Sequence, residues 1–542
     1  MFRTRNTGRS LLLVTTVAAT AFPALAQSDS LVLDEIIVTA QRRETSLQTT
    51  PVAVTALTAD ALAEQNVSSA EDLAAVVPSL IMMPVTASRS TLQVGLRGGT
   101  EQSGGLVTSE SAVALYVDDV YRGRLAGSNM ELADIQRVEV LRGPQGTLYG
   151  RNSFSGAIKI VTRTPGEDEW AEVQGGIGSQ DMVYGSASWG GDLIDDALGA
   201  SLSVLYRDQD GYVYNQALDK DVFGQENLAL RGKLHFYGRE GLKATLSVTH
   251  TKDRNDGPAN LIPVSFAGTY PTLAANAVST KDAIPRAGSR FVSLSTTDPD
   301  GYTDQTAVSL DVSAEWGDVT VRSISAFVGT QDGFVFDLSG GIRNPDGTYR
   351  PNGLVRDGRG RTDQYSQEIQ FQGDGLDGKL NWITGLYYFR EESHQVLKDQ
   401  LVLGQFFTMS VLPQTIDTTT DSYAAFVQGT YQVDDRLSVT GGLRYTKDKK
   451  KLDGTIQNYL PFAAGPAIAL VPVQREPKFS SWSPKVGADY KITDDVFAYA
   501  TVSRGFKAGG FNGLAVANPV VFGTVYDPQT VWAYEGDRKS VV

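Results

Sequence analysis

From about residue 166 onward, apolar and polar residues of this chain alternate with a period of two. In AVSLDVSAEW, Val308, Leu310, Val312, Ala314 and Trp316 share one face, and Ser309, Asp311, Ser313 and Glu315 share the other. Leu242, Ala244, Leu246 and Val248 oppose Lys243, Thr245, Ser247 and Thr249 in the same way. So do Leu437, Val439, Gly441, Leu443 and Tyr445 against Ser438, Thr440, Gly442, Arg444 and Thr446. A strand with one face apolar over its full length and the other polar suits a barrel with lipid outside and a wet or filled lumen. No uninterrupted apolar run of about 18 residues follows the N-terminus, so membrane-crossing helices are not expected. The 55 glycines and 49 aromatic residues fit strands, tight turns and interfacial rings, and would equally suit a large soluble β-protein.

The connections separate these two possibilities. Tight turns are expected at 238–241 (GREG), 316–318 (WGD), 374–378 (DGLDG), 434–436 (DDR) and 493–495 (TDD). Long polar stretches lie between them, at roughly 253–304, 331–360, 391–420 and 447–480. Short connections on one side and long ones on the other are the asymmetry of an outer-membrane barrel, and a soluble sandwich does not predict it. Trp170, Trp189, Trp316 and Trp382 fall near the short-turn ends, where an aromatic girdle belongs. The basic run KDKKK at 447–451 reads as a solvated face.

Residues 1–26 read as an export signal, with Arg3, Arg5 and Arg9 ahead of an apolar core at 11–22 and a small-x-small site at Ala24-Leu25-Ala26. Cleavage there removes three arginines and no acid, taking the net charge from −14 to −17. Residues 27–43 form a polar linker carrying a β-branched run, Asp34, Glu35, Ile36, Ile37, Val38, Thr39 and Ala40. This run reads either as the first strand of the next domain or as a loose strand that another protein's sheet edge can capture.

Residues 44–165 have mixed α and β character. A helix starts at Thr58 or Asp60, and a second is capped by Ser68 or Ser69, with Glu71 and Asp72 in its first turn and Pro78 ending it. LQVGLRG (92–98) and AVALYVDDV (112–120) read as strands, with Asp118 and Asp119 marking a turn rather than an acid–base pair. DIQRVEVL, with Ile135, Val138 and Val140 apolar, is a strand that ends at the turn Arg142-Gly143-Pro144. Gly146, Gly150 and Gly156 then allow close backbone approach before the strand AIKIVT. No Gly-Lys-Ser/Thr follows GPQGTLYG, which sets a phosphate cradle aside.

Absence of cysteine excludes disulfides and thiolate chemistry. His235, His250 and His394 have no local metal spacing, so no metal site is expected, and the sequence offers no catalytic constellation or cofactor motif. The acidic balance argues against nucleic acid as a partner.

The stretch RVEVLRGPQGTLYGRNSFSGAIKIVTRTP, with Arg137, Glu139, Arg142, Gly143, Pro144, Gly146, Tyr149, Gly150 and Gly156, resembles the C-terminal signature of the plug domain of TonB-dependent outer-membrane receptors. DEIIVTA at 34–40 resembles the TonB box of the same family, in the position it should occupy. The resemblance implies a mainly β fold, a transmembrane antiparallel β-barrel with an N-terminal α+β plug domain (44–165) in its lumen. The barrel occupies 166–542, with roughly 13 to 14 strands where plugged transporters have about 22. DPQTVWAYE begins another strand, and GDRKSVV then breaks the alternation, which reads as a truncated or frame-shifted fragment.

The resemblance also implies a bacterial outer-membrane importer without enzymatic activity, taking a scarce, bulky ligand. The base-rate choice is a ferric siderophore or other iron complex, with haem, cobalamin or a glycan as alternatives. TonB, with its inner-membrane energising complex, is the implied partner at 34–40, and outer-membrane lipid surrounds the barrel. Ligand contacts are expected at the plug apex within 86–105 and in the long loops. Arg142, or else Arg137, is expected to lock the plug by pairing with the luminal carboxylate of Glu368. A passive porin or adhesin would share the strands without needing the box or the plug. A signalling transducer would carry a further domain ahead of the box, and a secreted enzyme would need a catalytic constellation that the sequence does not offer.

Overall fold

A computed structural model describes residues 36–85, 88–101, 105–130, 134–166, 168–257, 291–337, 341–343, 346–350, 354–403, 407–410, 413–458, 469–493, 496–514 and 518–540. The export signal, Asp34 and Glu35 lie outside the described residues. Among the described residues no helix is long and apolar enough to cross a membrane, which leaves strands to do so.

The N-terminal part is built on a five-stranded sheet in the order Val54–Thr58, Ile135–Arg142, Gly156–Thr162, Val113–Val117, Val120–Arg122. The strand Gly156–Thr162 is its centre, antiparallel to Ile135–Arg142 (Ile158 opposite Val140) and parallel to Val113–Val117 (Ile158 opposite Leu115). Fully apolar positions on these strands, among them Val138, Val140, Ile158 and Ile160, are buried with Leu73, Leu92 and Leu96. Each such burial stabilises by about 1.5–3 kcal/mol. The helix Ala59–Glu64 starts where expected, its cap Thr58 accepting the Ala61 amide at 3.3 Å. The second helix is only Leu73–Val76, and Ser68 and Ser69 do not cap it. Their hydroxyls and amides converge on Asp72 Oδ2, an acid that collects four short-range donors before the helix begins.

Most of the rest of the described chain forms one large sheet of sixteen strands, with three small sheets of two or three strands beside it. Fourteen follow one another in chain order from Trp170–Ile177 to Gln529–Ser540, and the short strands Phe407–Ser410 and Ala469–Arg475 pair at its side. Successive strands are antiparallel and closely in register, with Leu310 opposite Leu246 on one side and Ser325 on the other. Among the described residues the first and last strands of this path are not paired with each other, so the wall is open along one seam. Leu246, Val248, Val308, Leu310, Val439 and Leu443 are exposed on its outer surface, while Asp311 faces a cavity shared with the plug. The alternation therefore sorts lipid-facing from plug-facing positions. The strand beginning in DPQTVWAYE continues through Ser540 rather than breaking after Glu535.

The turns at 240–241 and 317–318 are tight, with Gly241 and Gly317 at φ of +70° and +59°. The long polar stretches are not loops throughout. The strands Leu354–Gly375, Leu380–Leu403 and Leu437–Asn458 have 22, 24 and 22 residues, and they run well into stretches read as loop. Hydrophobicity did not mark these ends because beyond the lipid both strand faces are polar. Lys447, Lys449 and Lys451 point outward while Thr446, Asp448 and Lys450 are buried inward. Of the first long stretch, residues 258–290 lie outside the described residues.

Candidate functional site

The residues before the plug are held rather than loose. Ile37–Val38 pairs antiparallel with Thr45–Ser46, which corrects the reading of an unpaired strand. The cause is apolar: Val38 and Ala40 are buried against Leu141, Leu148 and Tyr149. Thr39 donates its amide and hydroxyl to Glu139 Oε1 at 2.9 and 3.0 Å, and receives Lys159 Nζ at 2.6 Å. Only Ile37, 40% exposed, looks outward. It borders a cavity of about 840 Å³ whose rim includes Asp318 and Asp374 of the short turns. The segment 36–40 thus sits at the short-turn mouth.

Arg42 follows immediately, and its side chain is only 1% exposed. Its guanidinium lies over the rings of Tyr116 and Tyr149, at 5.0 and 4.8 Å, donates to Asp119 Oδ1 at 2.8 Å, and stands 3.8 Å from Glu368 Oε2 on the wall. The expected lock between Arg142 and Glu368 is not formed. Arg142 lies at the end of its strand with Nε buried and unbonded, and Arg137 Nε pairs within the plug to Glu139 at 2.7 Å. Glu368 does face inward, and the cation that reaches it comes from the pre-plug segment.

Asp119 is the hub of this lower cluster. Besides Arg42 it takes Lys159 at 2.8 Å and Arg322 of the wall at 2.8 Å, and Arg322 in turn grips Asp311 at 2.5 Å. Burial would raise the Asp119 carboxyl, but Lys159, Arg322 and Arg42 outweigh it and hold it well below the ordinary carboxylate range. Its neighbour Asp118 receives Lys233 of the wall at 3.0 Å and both the amide and hydroxyl of Thr162. Both aspartates form the turn expected of them, at φ of +47° and +64°. Sequence reasoning missed that this turn is a charged plug–wall contact. The signal available was two acids at a turn with no catalytic partner.

A second cluster lies toward the long-loop side. Glu110 Oε2 accepts from Arg151 at 3.0 Å and from Asn152 at 2.6 Å, and Oε1 pairs with Lys450 of the wall. Arg124 pairs with Glu391 of the wall and donates to the Ser109 carbonyl at 2.7 Å. Burial opposes ionisation of Glu110, yet Lys450, Arg151 and Arg124 keep its carboxyl below the usual carboxylate range. Lys450, within the run read as solvated, is therefore a buried plug contact. Near the expected apex, Val85, Leu106 and Val107 pack with Phe334, Leu397 and Phe511. Thr86, Ala87 and residues 102–104 lie outside the described residues.

The signature glycines serve close approach. A Cβ on Gly156, at φ of +152°, would stand 2.2 Å from the Leu141 carbonyl oxygen, and one on Gly146 would stand 2.6 Å from that of Arg504 on the wall. Gly156→Ala should therefore destabilise the plug by about 2 kcal/mol or more, since backbone must move. Limited proteolysis of the refolded protein checks it, and wild-type resistance in the variant would contradict it. Elsewhere in the signature, Tyr149 donates to the Ala40 carbonyl at 3.0 Å, Gly143 donates to Ser155, the Pro144 carbonyl accepts Ser503 at 3.3 Å, and Gly150 lies against Arg444. Among the described residues no His/Cys/Asp/Glu cluster suits a metal ion.

Comparison with known proteins places these features. Two family models match: the TonB-dependent receptor plug domain over residues 46–157, and the TonB-dependent receptor-like β-barrel over residues 247–536. The pesticin receptor of Yersinia pestis is 26% identical over 506 residues, which span 91% of this chain and 67% of that protein. The pesticin receptor of Yersinia enterocolitica gives the same figures. In fold, the chain resembles the ferric yersiniabactin uptake receptor FyuA from Yersinia pestis, with a TM-score of 0.74 at 22% identity, covering 91% of this chain and 70% of that one. It also resembles the siderophore receptor PiuA from Acinetobacter baumannii, with a TM-score of 0.67 at 12% identity over 91% of this chain and 70% of that one.

Proposed function

This chain belongs to the TonB-dependent receptors of the bacterial outer membrane, and from that membership we propose that it imports a ferric siderophore or similar iron chelate by energy-coupled rearrangement of its plug. The family is one of receptors and transporters rather than enzymes. The observation that carries the reading is the position of residues 36–40, held at the short-turn mouth beside the charged cluster that ties plug to wall. A periplasmic TonB protein that captured this strand by edge addition would pull first on the contacts of Thr39 and Arg42. The box as proposed comprises Asp34, Glu35, Ile36, Ile37, Val38, Thr39 and Ala40.

The choice of an iron chelate rests on relatives in fold named for ferric yersiniabactin and for a siderophore. The chain should restore growth of a receptor-deletion strain under iron limitation on at least one compound of a ferric siderophore panel. Restoration only by cobalamin, haem or a glycan would move the substrate class. Growth on small solutes independent of TonB would favour a passive pore.

A further inference from the structure

Lys485 is a buried cation that neither charged cluster uses. It faces inward from the strand Lys478–Thr493, only 8% exposed, and among the described residues it makes no ion pair or hydrogen bond. The acid whose field reaches it, Glu535, is engaged elsewhere, accepting from Tyr499 at 2.7 Å, from Arg97 at 3.0 Å and from the Ala53 amide at 3.2 Å. Small neighbours give the lysine its place, with Gly442 directly opposite on one side and Ser503 on the other. A Cβ on Gly442 would lie 2.9 Å from Thr147 Cγ2 and 3.2 Å from Gln428 Cγ, so the missing side chain lets the plug signature and the wall close around this point.

Three parts of the chain enclose a small cavity here. Ala40 and Gln41 come from the segment ahead of the plug, Gln145 and Thr147 from the signature, and Gln428 and Lys485 from the wall. The cavity has room for one small body of about the size of a water molecule. Among the described residues no carboxylate lines it. Its amides are unsatisfied: Gln41 Nε2 and Gln428 Oε1 are both buried without a partner, and Gln428 is 5% exposed. The two ends of an amide have nearly the same shape, so Gln428 can turn its N–H groups to the cavity. A water would accept from these donors and leave the charge of Lys485 uncompensated, which a buried ammonium tolerates poorly. A small anion satisfies the donors and the charge together.

We propose that this cavity binds a single-atom monovalent anion, chloride, between Lys485 Nζ and the amides of Gln41 and Gln428. Ala40 and Gln41 form one side of the cavity, so opening of the segment 36–40 dismantles the site. Chloride therefore binds the closed segment in preference to the open one and stabilises it by mass action. The site is separate from the contacts of Arg42 and does not rest on which ligand is imported.

The test uses the purified chain, free of cysteine apart from a V38C substitution, whose maleimide labelling reads the opening. Replacing sodium gluconate by sodium chloride at constant ionic strength should slow labelling about tenfold, the effect of an ion at about ten times its dissociation constant. Bromide should act as chloride does, and sulfate, too large for the cavity, should act as gluconate does. The V38C/K485M variant should label alike in all four salts. A second measurement needs no variant: crystals of the wild-type chain in sodium bromide should give an anomalous-scattering peak beside Lys485 Nζ. Equal labelling of V38C in chloride and gluconate, a halide effect that survives in V38C/K485M, or bromide crystals with no peak in the cavity would overturn the assignment and make the occupant water.

Discussion

Arg42→Ala should release the segment 36–40 from the plug by two or more orders of magnitude in open population. The guanidinium is buried between Tyr116 and Tyr149 and is shared by Asp119 and Glu368. Removing one partner of a buried charge pair costs about 3–5 kcal/mol, because the remaining charges lose their compensation. Lys159 and Arg322 still hold Asp119, so the lower end of that range applies there, while Glu368 keeps only the Gln370 amide at 2.5 Å and the nearby Arg444. The segment is otherwise pinned by two residue pairs of strand, the burial of Val38 and Ala40, the bonds of Thr39, the Tyr149 hydroxyl on the Ala40 carbonyl and the Leu47 amide on the Ile36 carbonyl. Burial of Val38 contributes about 2 kcal/mol, so losing Arg42 removes a comparable or larger share.

The chain has no cysteine, so a single V38C substitution gives a clean probe. Maleimide labelling of V38C should be slow, and labelling of V38C/R42A faster by about a hundredfold, at about 1.4 kcal/mol per decade. Arg42→Lys keeps the charge but cannot bridge both acids, and should fall between. Equal rates for V38C and V38C/R42A would remove Arg42 from the account. Asp119 has a depressed folded-state pKa, so its contribution is complete above the ordinary carboxylate value of about 3.9 and is lost only as pH falls below it. Labelling rates corrected for thiol ionisation should therefore be flat between pH 5 and 7.

Much of the architecture was legible because barrel physics writes itself locally. A lipid-facing strand needs alternate apolar residues, and Val308, Leu310, Leu246 and Val439 supplied them in plain order. The signature around Gly156 was legible because only glycine suits that backbone, with the Leu141 oxygen 2.2 Å from where a Cβ would lie. Strand ends above the lipid were not legible, because Lys447 to Lys451 alternate between water and plug with no apolar face to betray them.

The charged seat of the plug was hidden for a different reason. Arg42 meets Asp119 across 77 residues, and Asp119 meets Arg322 across 203, and no local spacing encodes either pair. The error over Arg142 shows the same limit. A cation beside the signature and an acid facing the lumen were both correctly placed, but the chain brings a different arginine to Glu368. Glu110 and Lys450, 340 residues apart, were missed on the same grounds.

The held strand at the short-turn mouth and the ion pairs from plug to wall are the contacts that the proposed pull on the plug would have to break. Deleting residues 34–40 removes the proposed handle, together with the Thr39 bonds and the contacts of Val38 and Ala40 with Leu141, Leu148 and Tyr149, and leaves in the chain every residue of the plug sheet, of its main core and of both charged clusters. Val38 lies within the deletion, so V38C labelling cannot stand in for this experiment. The direct measurement is uptake of radioactive iron, presented as the chelate that restores growth, by energised cells carrying the wild-type chain or the deletion at equal surface abundance. Uptake by the deletion should fall to the level of cells lacking TonB, with ligand binding at the surface retained. Undiminished uptake by the deletion would contradict energy-coupled import through residues 34–40.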